Sequence, residues 1–161
     1  MAHPRRIRTA ESKRLIERLR KICMALPEAT EKEAWAEPTW RVSGKMFAQM
    51  DDHHHGGEHC SVWLPSTLDV QESLVAAEPK RFFRPAYVGH KGWIGVVLET
   101  KPDWRIVEEL VRAAYRRIAP AKLVAELDAP APAAPAVRSS ARRAASARAG
   151  KRARSSPARR R

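Results

Sequence analysis

The last 33 residues of this chain hold ten Arg and Lys, no acid, and a single aliphatic side chain larger than alanine, Val137. Twelve Ala, five Ser and four Pro supply most of the remainder. Such a stretch buries too little apolar surface to offset the entropy of ordering it. The fold must therefore come from residues 1–128, enough chain for about one ordinary domain.

Charge divides along the same line. Residues 129–161 carry +10, residues 1–21 carry +6, and residues 22–128 carry −3, giving the chain its +13. A slightly acidic centre between basic ends points to an appendage that binds polyanions, not to a basic fold. Three segments are expected: a flexible basic N-terminus over residues 1–9, a domain over 10–128, and a disordered basic tail over 129–161.

Several classes are excluded. The longest apolar run, Trp93 to Leu98, is short and contains Gly95, whereas a membrane span takes about 20 apolar residues. The basic residues of the first eight positions are followed by no apolar stretch, so a secretory signal is not expected. Cys23 and Cys60 make neither a disulfide framework nor a Cys-x-x-Cys motif, and a reduced, cytoplasmic protein follows.

Periodicity orders the domain. Leu15, Ile16, Leu19, Ile22, Cys23 and Leu26 recur at helical spacing, predicting a helix over residues 10–26 with Thr9 or Ser12 at its start. Residues 28–37 read as a connector. Strands at 39–42 and 45–50 meet at Ser43-Gly44, a tight hairpin turn. Met46, Ala48 and Met50 fall on one face, Phe47 and Gln49 on the other. A polar loop over 51–59 precedes a short strand at 60–64. Ser66 and Asp69 predict a helix start that ends before Pro79. Strands at 86–88 and 93–99 are expected around Gly89-His90-Lys91-Gly92. Asp103 caps a long helix over 104–118, and Pro120 opens a last helical turn. Hairpin-length links between strands imply an α+β fold: an antiparallel sheet with helices packed on one face.

Three segments in this order, Leu26 to Trp35 (LPEATEKEAW), Glu37 to Phe47 (EPTWRVSGKMF) and Pro85 to Ile94 (PAYVGHKGWI), resemble the MmcQ/YjbR family. The resemblance covers roughly residues 10–127. It implies a two-layer sandwich similar to the CyaY (frataxin) fold and a DNA-binding role through a double-wing arrangement of hairpins. It carries over no catalytic residue. The histidine-rich insert at 53–59 and the tail after Asp128 are additions to the family pattern.

Four features bear chemistry. In the tail, Arg138, Arg142, Arg143, Arg148, Lys151, Arg152, Arg154, Arg159, Arg160 and Arg161 are spaced by Ala and Ser. Guanidinium suits bidentate phosphate contact, and phosphate contacts carry little sequence information. The expected partner is therefore duplex DNA, or RNA, bound with low specificity and strong salt dependence, in a nucleoid-associated manner. A solvated tail with no dedicated partner is the alternative.

In the two hairpins, Arg41 and Lys45 flank one turn, and His90, Lys91 and Trp93 mark the other. Basic turns beside aromatics can enter a groove or stack on a base. Equally, Gly-His-Lys-Gly can be a plain tight turn, with Tyr87 and Trp93 belonging to the core or a sheet edge.

His53, His54, His55, His59 and Cys60 are weak candidates for a transition-metal site, since imidazole and thiolate suit such ions. Three adjacent histidines on one loop do not easily converge on one ion, so no metal and no other cofactor is expected. Asp51 and Asp52 read as strand-end solvation. The aromatics Trp35, Trp40, Tyr87 and Trp93 could instead line a pocket, which makes a small-molecule or protein-binding module tethered by the tail the second functional class. Metal handling is the third. No phosphate-binding loop, zincin motif or nucleophile elbow is present, and a monomeric, non-enzymatic protein is expected.

Overall fold

A computed structural model of the chain describes residues 7–55 and 57–130. The expected disordered tail lies outside the described residues, apart from its first two positions. Among the described residues four helices and six strands alternate in an α+β order.

The first helix, α1 (Ala10–Met24), starts where Thr9 accepts a hydrogen bond from the Ser12 amide. Ile16, Leu19 and Cys23 bury its apolar stripe. Three strands follow as a meander: β1 (Thr30–Ala34), β2 (Glu37–Val42) and β3 (Lys45–Asp52). Next come β4 (Cys60–Leu64), α2 (Leu68–Ala77), the two-residue β5 (Phe82–Phe83) and β6 (Ile94–Val97). The long α3 (Trp104–Ile118), capped by Asp103, and α4 (Ala121–Asp128) close the domain. All pairings are antiparallel, in the order β1-β2-β3-β4-β6-β5. No helix among the described residues is long and apolar enough to cross a membrane.

The register separates the sheet's two faces. Trp40 pairs with Ala48, Met50 with Val62, Val62 with Val96, and Leu64 with Ile94. These residues form one buried apolar face, with Val107, Val111, Ala114 and Tyr115 of α3 in the same core. The Phe47 ring meets Tyr115 edge-on at 5.3 Å, and the Tyr115 hydroxyl donates to the Pro27 carbonyl at 2.7 Å. The other face presents Thr39, Gln49, Asp51, Ser61 and Trp63, all buried although four of the five are polar.

Four local expectations are corrected. Residues 30–34 form an edge strand, not a connector. The β1–β2 turn is made by Trp35 and Ala36 at positive φ (53° and 61°), a conformation the sequence does not announce because neither is Gly, Asn or Asp. A bulge opposite Trp40 and Arg41 inserts an extra residue in β3, which turns Phe47 onto the Ala48 side and into the core. Thr67, not Ser66, caps α2, accepting from the Val70 amide. Residues 86–88 form no strand: Tyr87 has φ 64°, and a 3-10 turn, Gly89–Lys91, follows. The partner of β6 is Phe82–Phe83 instead. Gly95 makes that pairing possible, since a Cβ there would lie 2.3 Å from the Phe83 ring.

Candidate functional site

The strand ends at Asp51 and Asp52 lead into the histidine loop, and here the polar face becomes a site. Both aspartates are buried, so they are not strand-end solvation. Alternation sends Asp52 to the helix side and Asp51 to the other.

On the helix side Asp52 is held by Arg8 Nη1 at 3.0 Å and by the Ser12 hydroxyl at 3.0 Å, with His53 Nδ1 at 2.8 Å. Burial pushes its carboxyl up, but the bonds from His53, Ser12 and Arg8 outweigh that and hold it below the usual carboxylate range. Arg8 also donates to Glu37 at 2.8 Å and to the Ala36 carbonyl at 3.0 Å. Burial pushes the Glu37 carboxyl up despite this partner. Arg8, expected in a flexible N-terminus, and Ser12 thus tie the start of α1 to the sheet, while Thr9, expected in the same flexible stretch, caps the helix.

On the other side Asp51 Oδ1 lies 2.8 Å from His55 Nδ1, and its Oδ2 accepts from the His54 amide at 3.4 Å. Burial raises the Asp51 carboxyl above its ordinary range, outweighing the pull of His55. His53 and His55 adopt positive φ (53° and 51°), and this turns the loop back across the strand ends. The Gly57 amide closes it on the His54 carbonyl at 2.8 Å. A Cβ at Gly57 would crowd Asp51 Oδ2 and the His54 carbonyl, both at 3.1 Å.

His55 then enters an aromatic surround. Its ring centroid is 6.3 Å from Trp35, 5.8 Å from Trp63 and 6.0 Å from Tyr87. These residues, with Gln49, His54 and Val88, line a cavity of about 380 Å³. Trp35 and Tyr87 are exposed at 49% and 75%, so the cavity has an aromatic rim open to solvent.

The histidines and the cysteine expected in one cluster are divided. His53 Nε2 and His59 Nδ1 both approach Glu99, at 3.3 and 3.1 Å. His54 and His55 converge with Asp51, one ligand atom of each lying within 4.8 Å of the others. Cys60 pairs in register with Asp52 and belongs to the buried core. Burial pushes its thiol up to about 12, which suits neither a nucleophile nor a ready ligand. Asp51 was missed as a site residue. Its signal in the sequence is its place near a strand end, two residues before the histidines.

The two basic turns occupy the opposite end of the sheet, as the pairings Val42–Lys45 and Leu64–Ile94 require. Lys45, His90 and Lys91 are exposed there. Arg41 is half-buried, and its Nη1 donates to the Gly44 carbonyl at 3.4 Å. The turn at 89–92 is not a hairpin tip: the Gly89 and Trp93 carbonyls accept from Gln71 Nε2 at 2.7 and 2.5 Å. Trp93 is half-buried, and Tyr87 faces His55. Of the aromatics proposed for a pocket, Trp35 and Tyr87 line the cavity, whereas Trp40 is a core residue whose Nε1 donates to Glu31 at 3.2 Å. The tail cations Arg138 to Arg161 lie outside the described residues.

No curated protein is significantly similar in sequence. Among solved structures, the crystal structure of the Deinococcus radiodurans protein DR2400, with the domain DUF419, is similar at a TM-score of 0.57 and 21% identity. The match covers 71% of this chain and 88% of that one, and at that identity it is a likeness of fold. A family model, YjbR, matches residues 24–117, a stretch that includes all six strands and most of α3, and the chain belongs to the YjbR family.

Proposed function

We propose that this protein binds nucleic-acid phosphates with low sequence specificity, chiefly through residues 129–161, in a nucleoid-associated manner. The observation that carries this reading is the charge partition: ten cations and no acid in 33 residues, beside a remainder with 21 basic and 18 acidic residues. Each phosphate neutralised releases condensed counterions, so binding is strong at low salt and falls steeply as salt rises. The sheet end bearing Arg41, Lys45, His90, Lys91 and Trp93 adds a smaller contact. Of these, Lys45, His90 and Lys91 are exposed and best disposed for it. The role is one of binding, not catalysis.

The test is duplex DNA affinity over a salt series, for the full chain and for residues 1–128. The full chain is expected to show a steep salt dependence that the truncation lacks. Equal affinities and equal slopes would sink the proposal.

A second reading has its own observation in its favour. The cavity bounded by Trp35, Trp63 and Tyr87 combines apolar walls with a few placed polar groups, as small-molecule sites do. In this reading the domain binds a small ligand and the tail tethers it to nucleic acid. Quenching of tryptophan fluorescence by a ligand, abolished in Tyr87→Ala but unchanged by removal of the tail, distinguishes it from direct DNA contact.

A further inference from the structure

We propose that Asp51, His54 and His55 form a binding site for one divalent transition-metal ion of the zinc class, set in the wall of the cavity on the polar face. Two imidazoles and a carboxylate are a donor set such ions prefer, and three protein ligands leave a position for water or a bound molecule.

The distances are suitable. Ligand bonds of about 2.0–2.2 Å place neighbouring donor atoms roughly 3.3–3.6 Å apart around a tetrahedral ion. Here the three donors lie within 4.8 Å of one another, and His55 Nδ1 and Asp51 Oδ1 are 2.8 Å apart. Modest side-chain rotations bring all three onto one ion.

The surroundings are built for it as well. Asp51 is 1% exposed and fixed on a central strand. His54 Nδ1 lies 3.8 Å from the buried carboxylate of Glu37, an acid set beside the candidate ligand though beyond hydrogen-bond reach. Gly57 is the residue that leaves the Asp51 carboxylate uncrowded. His54 and His55 both line the cavity, so the remaining coordination position faces it. A purely structural layer over this face would be better served by apolar side chains than by a buried acid with two imidazoles. The rival cluster, His53 and His59 about Glu99, is far more open, with the histidines 47% and 42% exposed.

The experiment is a calorimetric titration of the metal-free full chain with Zn²⁺, repeated with Co²⁺ to read the ligand field by visible absorption. Neither nucleic acid nor an organic ligand is present, so its outcome is independent of both readings above. One ion per chain is expected, at low micromolar affinity or tighter. Asp51→Asn and His54→Gln should each weaken it by at least about tenfold, with the circular dichroism spectrum retained. His59→Gln should leave it unchanged. Should Asp51→Asn fail to fold, the half-buried His54 provides the deciding variant. Absence of binding in the micromolar range would overturn the proposal. So would affinity that survives His54→Gln and falls with His59→Gln, which would mark adventitious capture by the exposed imidazoles.

Discussion

The two faces of the sheet are built from the same strands and do different work. On the helix side, alternate residues such as Val42, Met50, Val62, Leu64, Ile94 and Val96 meet α1 and α3 in an apolar core. On the other side the intervening residues include Gln49, Asp51, Ser61 and Trp63, roofed by a histidine loop and an aromatic rim. Burying apolar surface stabilises strongly, whereas a buried carboxylate roughly breaks even and a satisfied amide hydrogen bond contributes only about 1 kcal/mol. Apolar burial thus accounts for the first face, and the composition of the second is what the proposed binding site rests on.

The comparison can be broken at several points. The largest effect is expected for Phe47→Ala on the first face, a loss of about 3–5 kcal/mol in denaturant unfolding. Its counterpart on the second face, Tyr87→Ala, should change stability by no more than about 0.5 kcal/mol. Similar losses for the two would erase the distinction between a stabilising face and the proposed binding face.

Gly95→Ala comes next. Its methyl group would displace the Phe83 ring, at about 1–3 kcal/mol for overpacking. Thermal unfolding measures the loss, and Phe83→Ala in the same chain should recover part of it.

A smaller effect than that of Gly95→Ala lies at the sheet edge, where Glu31 accepts from Arg20 at 2.7 and 2.9 Å and from Trp40. The Arg20 hydrogen bonds hold its carboxyl below the ordinary glutamate value of 4.5. A lowered carboxyl stabilises the fold above the unfolded value, and that contribution is lost as pH falls through the folded one. Glu31→Gln should therefore cost under about 1 kcal/mol at pH 7, with the difference from the parent chain shrinking below pH 4.5. A difference independent of pH would mean that the ion pair contributes nothing.

The legible parts of the fold were those with a strong local signal. The spacing of Ile16, Leu19 and Cys23, the Asp103 cap and the Ser43-Gly44 turn each appear where periodicity or turn chemistry put them. What escaped depended on contacts distant in sequence. Residues 30–34 (TEKEA) have no apolar alternation and are a strand only because β2 pairs with them. The bulge that brings Phe47 inward is visible only in the pairing of β3 with β2. The candidate site was half legible. The histidines drew attention, but which of them converge follows the positive φ at His53 and His55, a conformation histidine visits more than most residues yet too rarely to assign from sequence. Tyr87 reaches the site because residues 86–88 fold as a turn where strand periodicity suggested a hairpin.

The claim that the second face is a binding site is tested most directly by crystals grown with Zn²⁺ and measured at the zinc absorption edge. The account predicts one strong anomalous peak within bonding distance of Asp51, His54 and His55. A peak at Glu99 between His53 and His59, or no peak at Asp51, would contradict it.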